Sequence, residues 1–348
     1  MVKTKIICTL GPSSSNETVI RKMTLQGMDV VRLNFSHGRL NGHSSCIKLL
    51  RKVNKKYRRH VKILQDLEGP RIRIGRLKGN RPIALKKRQR LWLTQNSVNE
   101  RTNIIPFDYE GSLRAFKGAE FIYIDDGNIV LRIKGVEKRR IKVEVVIGGI
   151  LKQHKGLNVP DARLYFPTIS EKDKLDLRFG IDQKVDYIAQ SFVRNKKDIL
   201  EVKNRIKHKL PTCRVISKIE NRDGIRNIDE IIDSSDGIMI ARGDMGVSIP
   251  IYEIPIIQKT IIRKCNKKKK FVITATQMLE HMVDNIRPTR AEVTDIANAI
   301  IDGTDFVMLS AETAVGRNPV KAVEMMNDII KFTEKSFSLS QNKKDKLF

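Results

Sequence analysis

The chain passes repeatedly through a short apolar stretch that ends in charged or hydroxyl residues and then enters a helix-like segment. Strands buried on both faces read as continuous apolar runs, so this rhythm describes a parallel sheet covered by helices. Residues 1–69 alternate β, α, β, α, β, with strands at 5–10, 30–35 and 61–67 and helices at 17–26 and 42–57. From 70 to 167 the runs become short, β-branched and punctuated by glycine, which is an all-β pattern. After Pro167 the βα alternation resumes, with strands at 187–193, 214–220, 237–241, 271–276 and 306–310. Eight strands, each with a helix, and roughly 250 residues outside the interruption fit a (β/α)8 TIM barrel. The expected architecture is an α/β barrel over 1–69 and 168–340, with a small all-β barrel domain inserted after strand three (70–167) and a polar tail at 341–348. A doubly wound open sheet is the alternative, but it gives no reason for eight repeats.

A hydrophobic fraction of 40% with 30% charged residues belongs to a globular chain. No apolar run approaches the roughly 18 residues needed to span a bilayer, and the N-terminus has no signal-peptide pattern. The four cysteines, Cys8, Cys46, Cys213 and Cys265, are scattered without metal or disulfide spacing. These features imply a cytoplasmic protein. The net charge of +28 raises nucleic-acid binding. However, the basic runs (86–90, 138–140, 267–270) are spread along the chain without interleaved aromatics or a known nucleic-acid module. The expectation is an enzyme with a basic surface that attracts small anions, with no nucleic-acid or membrane partner.

A barrel of this kind carries its active site at the C-terminal ends of its strands. Those ends supply Arg32, Asn34 and Ser36; Asp66 and Glu68; Lys218 and Glu220; Arg242 and Asp244; Thr274 and Thr276; and Ser310, Glu312 and Thr313. Lys218 and Glu220 are two apart and share one strand face. Asp244, ending the next run, can sit beside them. A lysine beside two converging carboxylates suits a divalent metal that bridges an anionic substrate, which means chemistry on phosphates. On its own, Glu220 reads equally well as an ordinary salt bridge to Arg242 or Lys218. No G-x-x-x-x-G-K-[ST] loop and no G-x-G-x-x-G after a strand occurs, so neither a P-loop nor a dinucleotide fold is indicated. Most histidines, His43 among them, read as surface residues; His37 follows the strand-two rim directly.

At these residues the chain resembles the pyruvate kinase family over nearly its full length. The motifs are T-K-I-I-C-T-L-G-P (4–12), V-R-L-N-F-S-H-G (31–38), D-L-E-G-P-R-I-R (66–73), I-S-K-I-E-N (216–221), A-R-G-D-M-G-V (241–247), T-A-T-Q-M-L (274–279) and R-P-T-R-A-E (287–292). The resemblance implies phosphoryl transfer from phosphoenolpyruvate to ADP, followed by protonation of the enolate. It implies that Glu220 and Asp244 hold Mg2+, that Lys218 neutralises charge on the transferring group, and that Arg32 contacts the phosphate. Substrate carboxylate would be bound by Gly243, Asp244 and Thr276, with Thr276 also positioning the proton donor. Asn34, Phe35, Ser36, His37, Arg73 and Lys155 would face the nucleotide, so the inserted domain would close as a lid.

Two departures from the family pattern carry further expectations. The family's monovalent-cation site maps to Asn34, Ser36, Asp66 and Leu67. Potassium-dependent members have Thr, Lys and Glu where this chain has Leu67, Glu68 and Arg71. A guanidinium at 71 can supply the charge of K+, so potassium is expected to be dispensable. The sequence also stops soon after the eighth helix, and the expectation is that the C-terminal effector domain of the family is absent. Any oligomer would then form through barrel contacts. Competing readings are another metal-dependent barrel acting on phosphoenolpyruvate or pyruvate, such as a lyase, and a decayed basic barrel that binds nucleic acid.

Overall fold

In the computed structural model, residues 3–96, 103–160, 162 and 164–344 are described, with side chains as far as 337. The chain divides into two compact units. One comprises 1–69, 169–242 and 253–348, and the other comprises 70–168 together with 243–252.

The first unit is a closed parallel barrel of eight strands: β1 (Lys5–Thr9), β2 (Met28–Asn34), β3 (Lys62–Asp66), β13 (Tyr187–Gln190), β14 (Arg214–Ile219), β15 (Gly237–Ala241), β16 (Phe271–Ala275) and β17 (Phe306–Leu309). β17 pairs with β1, completing the ring. The expected (β/α)8 barrel is therefore observed, and the open sheet is not. Its interior is packed by Ile7, Val30, Leu64, Ala189, Ile216, Met239, Ile273 and Met308. Tyr187, Phe271 and Phe306 meet edge to face at the strand starts, with centroids 5.6 to 6.4 Å apart.

Short polar residues start the surrounding helices. Asn16 caps α1 (Glu17–Gln26) through the Val19 amide. Ser170 with Asp173 forms a capping box on α3 (Glu171–Asp182), and Thr289 with Glu292 forms one on α9 (Arg290–Ile301). Each arrangement satisfies amides that the first helical turn leaves unpaired. The longer remaining helices are α2 (Leu40–Tyr57), α4 (Lys196–Ile206), α8 (Ile254–Lys267) and α11 (Pro319–Lys344), with the shorter α6 (Ile228–Ser234) between α4 and α8 in the chain. Three short helices, α5 (Arg222–Arg226), α7 (Arg242–Ser248) and α10 (Ala311–Ala314), follow strand ends. The expected tail at 341–348 differs in part, because α11 continues to Lys344; 345–348 lie outside the described residues. No helix among the described residues is long and apolar enough to cross a membrane.

One device recurs at the N-terminal ends of the strands. Asp29, Asp186, Asp236 and Asp305 accept hydrogen bonds from the Ile6, Ile63, Val215 and Val272 amides at 2.9, 2.9, 2.7 and 2.8 Å. Asp29 lies at the start of β2 and the others directly before β13, β15 and β17, and each carboxylate ties its strand to a neighbour in the barrel.

The second unit is built from β4 (Ile72–Arg73), β5 (Ile83–Leu85), β6 (Arg90–Thr94), β7 (Ile104–Pro106), β8 (Phe121–Ile124), β9 (Ile129–Val136), β10 (Arg140–Ile147), β11 (Gly149–Leu151) and β12 (Gly156–Asn158). Seven of these form a sheet in the order β4-β12-β8-β9-β10-β6-β7, while β5 and β11 pair separately. The Ile74–Phe107 bridge and the Gly75 amide, which donates to the Pro106 carbonyl at 2.8 Å, join the two edges. Phe116, Phe107, Leu93, Ile122 and Leu131 fill its core. Residues 243–252 follow a barrel strand yet cluster here.

Asp305→Ala should leave the fully buried Val272 amide without its acceptor. Urea unfolding is expected to show a loss of about 1–3 kcal/mol.

Candidate active site at the C-terminal rim of the barrel

The strand ends carry an alternating row of four charges. Arg32, from β2, donates from Nε to Asp66 Oδ2 at 2.7 Å and pairs with it again through Nη2 at 2.6 Å. Its Nη1 donates to Thr9 Oγ1 at 3.0 Å. Asp66, from β3, faces Lys218 Nζ through Oδ1 at 3.1 Å. Lys218, from β14, reaches Glu220 Oε1 at 3.0 Å and Ser191 Oγ at 2.7 Å. Glu220 Oε2 accepts from the Phe192 amide at 2.7 Å. Side-chain exposure along the row is 10%, 1%, 11% and 1%, so the ions are held by one another and by hydrogen bonds, as buried charge requires. Burial alone would raise the Asp66 pKa, but the charges of Lys218 and Arg32 and their hydrogen bonds outweigh it and hold the carboxyl below its usual range.

Ser191 completes the row and was not among the residues singled out in the sequence. It follows β13 immediately, so the end of that strand was the signal. Its hydroxyl also donates to the Leu67 carbonyl at 2.7 Å. Gly69 adopts φ +69°, and a Cβ there would lie 2.8 Å from Ser191 Cβ. Only glycine passes this point without displacing the serine.

The strand-two loop is buttressed locally. Asn34 Oδ1 accepts from the Ser36 amide at 3.1 Å, and Lys172 Nζ donates to the Phe35 carbonyl at 2.6 Å. The His43 ring stacks on Phe35 at 4.4 Å, and its Nε2 lies 3.0 Å from the His37 carbonyl. His43 is thus half-buried, correcting the expectation of a surface role, and burial lowers its pKa. Of the residues matching the monovalent-cation site, Asp66 has both oxygens engaged by Lys218 and Arg32.

Thr274 does not belong to the rim: it is fully buried, with its hydroxyl 3.0 Å from that of Thr304. Thr276 does lie at the strand end and takes φ 68°, followed by Gln277 at φ 54°. Left-handed backbone at non-glycine residues costs of order 1–3 kcal/mol each. The Arg242 guanidinium offsets this through the carbonyls of Ala275, Thr276 and Gln277, since hydrogen bonds to a charged group contribute about 1.5–3 kcal/mol. Arg242 pairs with Asp295 at 2.6 Å, while Glu220 pairs with Lys218, which resolves which cation meets that glutamate. Glu312 is fully buried, accepts from the Leu279 and Ser310 amides, and has its pKa raised by that burial.

The second unit holds the other predicted site residues. Arg73 and Gly156 are register partners, and the Ile74 amide donates to the carbonyl of Lys155, the residue before β12, at 2.8 Å, which places Lys155 beside the strand that carries Arg73. Arg73 Nη1 donates to the His154 carbonyl at 3.1 Å, and Lys155 pairs with Asp125 at 2.7 Å. Arg71 lies 3.3 Å from Asp244 and 3.4 Å from Asp126. Burial raises the Asp126 pKa, with Asp244 adding to the effect. Asp244 Oδ1 is buried and faces the Arg71 guanidinium at 3.3 Å without a well-formed hydrogen bond among the described residues. No group of three or more His, Cys, Asp or Glu side chains gathers as a metal cage among the described residues. Mg2+ does not require one, since it is commonly held by one or two carboxylates plus substrate phosphate.

Barrel and rim define a (β/α)8 protein whose strand ends present fixed cations beside carboxylates, the arrangement that suits anionic substrates. Comparison with known proteins makes the class specific. The family described as "Pyruvate kinase, barrel domain" matches residues 1–323. The chain is 46% identical over 332 residues to a protein of Thermococcus litoralis named "Pyruvate kinase", a match covering 95% of this chain and 70% of that one. The same identity over 331 residues relates it to "Pyruvate kinase" of Staphylococcus aureus (strain MRSA252), covering 94% of this chain and 56% of the relative. This chain belongs to the pyruvate kinase family. The family assignment gives no support to the lyase or nucleic-acid readings.

Asp66→Asn should remove the carboxylate that pairs with Arg32 and one of the two that pair with Lys218, and cost about 3–5 kcal/mol at neutral pH. Because the folded-state pKa of Asp66 lies below the unfolded one, its contribution is present above the ordinary carboxylate range and is lost as pH falls below it. Denaturation measured against pH should therefore show a steeper acid loss in the wild type than in D66N.

Proposed function

We propose that this chain transfers the phosphoryl group of phosphoenolpyruvate to ADP, giving pyruvate and ATP, the last step of glycolysis. The observation that carries the reading is the buried Arg32–Asp66–Lys218–Glu220 row in a chain of this family.

Each residue has a physical task. Arg32 is already oriented by Asp66 and Thr9, so it would meet the phosphate without first losing rotamer freedom. Lys218, held by Asp66, Glu220 and Ser191, would neutralise charge growing on the transferring group and on the enolate oxygen. A cation fixed before the reaction needs no reorganisation during it. Glu220 and Asp244 would hold Mg2+, which when bound supplies positive charge to the substrate and nucleotide phosphates. The Gly243 and Asp244 amides and Thr276 would bind the substrate carboxylate. Thr276 would also position the donor whose proton goes to C3 of the enolate. Asn34, Phe35, Ser36, His37, Arg73 and Lys155 would serve the nucleotide.

Potassium is proposed to be dispensable. The support is the Arg71 guanidinium, a permanent cation 3.3 Å from Asp244, where potassium-dependent relatives carry a glutamate.

A coupled assay of pyruvate formation tests the activity. Turnover with Mg2+ is expected, and Lys218→Met should lower kcat roughly a thousandfold. Absence of turnover in the folded wild type would overturn the proposal. Removing potassium at constant ionic strength should change wild-type turnover by no more than about threefold, whereas Arg71→Glu should create a potassium requirement. A wild type that stalls without potassium would refute the Arg71 argument while leaving the kinase in place.

A further inference from the structure

Thr276 and Gln277 are consecutive non-glycine residues in the left-handed region, with φ 68° and 54°. For a β-branched threonine this is a genuine outlier. Gln277 is exposed, so its own side chain gains no burial from the conformation. What the turn achieves is convergence of three successive carbonyls on one guanidinium. Arg242 Nε lies 3.3 Å from the Ala275 carbonyl and 3.2 Å from that of Thr276. Its Nη2 lies 2.6 Å from the Thr276 carbonyl, 3.2 Å from that of Gln277, and 2.9 Å from Met278 Sδ. Nη1 is fixed from the opposite side by Asp295 of α9 at 2.6 and 2.8 Å and by Gln258 of α8 at 3.3 Å. The far end of the segment is pinned by Glu312, which accepts from the Leu279 amide at 3.0 Å.

We propose that Arg242, oriented by Asp295, is a positioning residue: it holds the left-handed Thr276–Gln277 turn and thereby places the Thr276 hydroxyl for enolate protonation. The inference rests on the pyruvate kinase reading given above. Arg242 directly precedes Gly243 and Asp244 in the chain, so one side chain links the Thr276 turn to the start of the segment that carries the second proposed metal ligand. Lysine cannot substitute, because a point charge has no planar fork to serve three carbonyls at once.

The test is a double-mutant cycle of Arg242→Lys and Gln277→Gly. The readouts are kcat, KM for phosphoenolpyruvate, and solvent deuterium entering the methyl group of pyruvate with Mg2+ and phosphate present. In that exchange a C3 proton leaves and a deuteron replaces it, with no other net bond change. R242K is expected to lower kcat and exchange by about tenfold or more, with a smaller change in KM. Q277G should remain near wild type, because residue 277 is exposed and glycine takes positive φ without strain. The double variant should recover a substantial part of the R242K loss, since the turn then needs less holding. A double variant no better than R242K, or an R242K that melts earlier but retains kcat and exchange, overturns the inference. Should R242K fail to fold, Asp295→Asn with and without Q277G is read in the same way. Wild-type protein with neither turnover nor exchange removes the functional reading and this inference together; active wild type with an unresponsive cycle removes the inference alone.

Discussion

The alternating row Arg32, Asp66, Lys218, Glu220 is the constraint on which the rest of the barrel rim depends. Four ions at about a tenth exposure or less cannot coexist without strict alternation, because each isolated charge would carry a desolvation penalty of several kcal/mol. Alternation in turn requires particular strands to be neighbours. β2, β3, β13 and β14 are consecutive in the ring, and the row crosses them in that order, with Ser191 after β13 bridging Lys218 and the Leu67 carbonyl. Adjacency of these four strands and neutrality of the row are therefore one condition viewed at two scales. The row leaves the cations with little orientational freedom, which is the state electrostatic catalysis needs.

The opposite side of the rim solves a different problem. There the backbone itself is out of its preferred range, and a cation serves carbonyl dipoles on one side and a carboxylate on the other. Arg32 and Arg242 illustrate two uses of a guanidinium: the first is spent on a carboxylate and a hydroxyl, the second on a bent main chain. Both are fixed by an aspartate from elsewhere in the barrel, Asp66 and Asp295 respectively.

Much of this was legible in the sequence. Continuous apolar runs gave eight strands and their order, and the charged and hydroxyl residues closing those runs included Arg32, Asp66, Lys218, Glu220 and Thr276. Legibility failed where contacts are made between elements distant along the chain. Asp295 and Gln258 lie on helices whose composition does not distinguish them from solvent-facing positions, and nothing in the sequence pairs them with Arg242. Lys172 and His43 likewise look like surface residues until the fold brings them to the Phe35 loop. Thr274 was misplaced because alternation along β16 assigns it a face but not a depth. Clustering of 243–252 with the β-rich unit could not be read from residues that follow a barrel strand so closely. The left-handed pair at 276 and 277 was invisible, since neither residue type signals positive φ.

The aspartates at the strand starts bear on how such a barrel assembles. Their bonds join β1 to β2, β3 to β13, β14 to β15 and β16 to β17, across separations of 23, 123, 21 and 33 residues. Three of the four pairs are local closures that can form early and independently, because short loops cost little entropy and favour fast folding. The pair that spans the β-rich segment is different. Treated as a flexible loop, it costs about 1.5 kcal/mol more to close than the first. If the intervening unit folds beforehand, its compact ends shorten the effective loop and most of that difference disappears. The β3–β13 seam is thus the one of the four whose closing cost depends on whether the β-rich segment has already condensed.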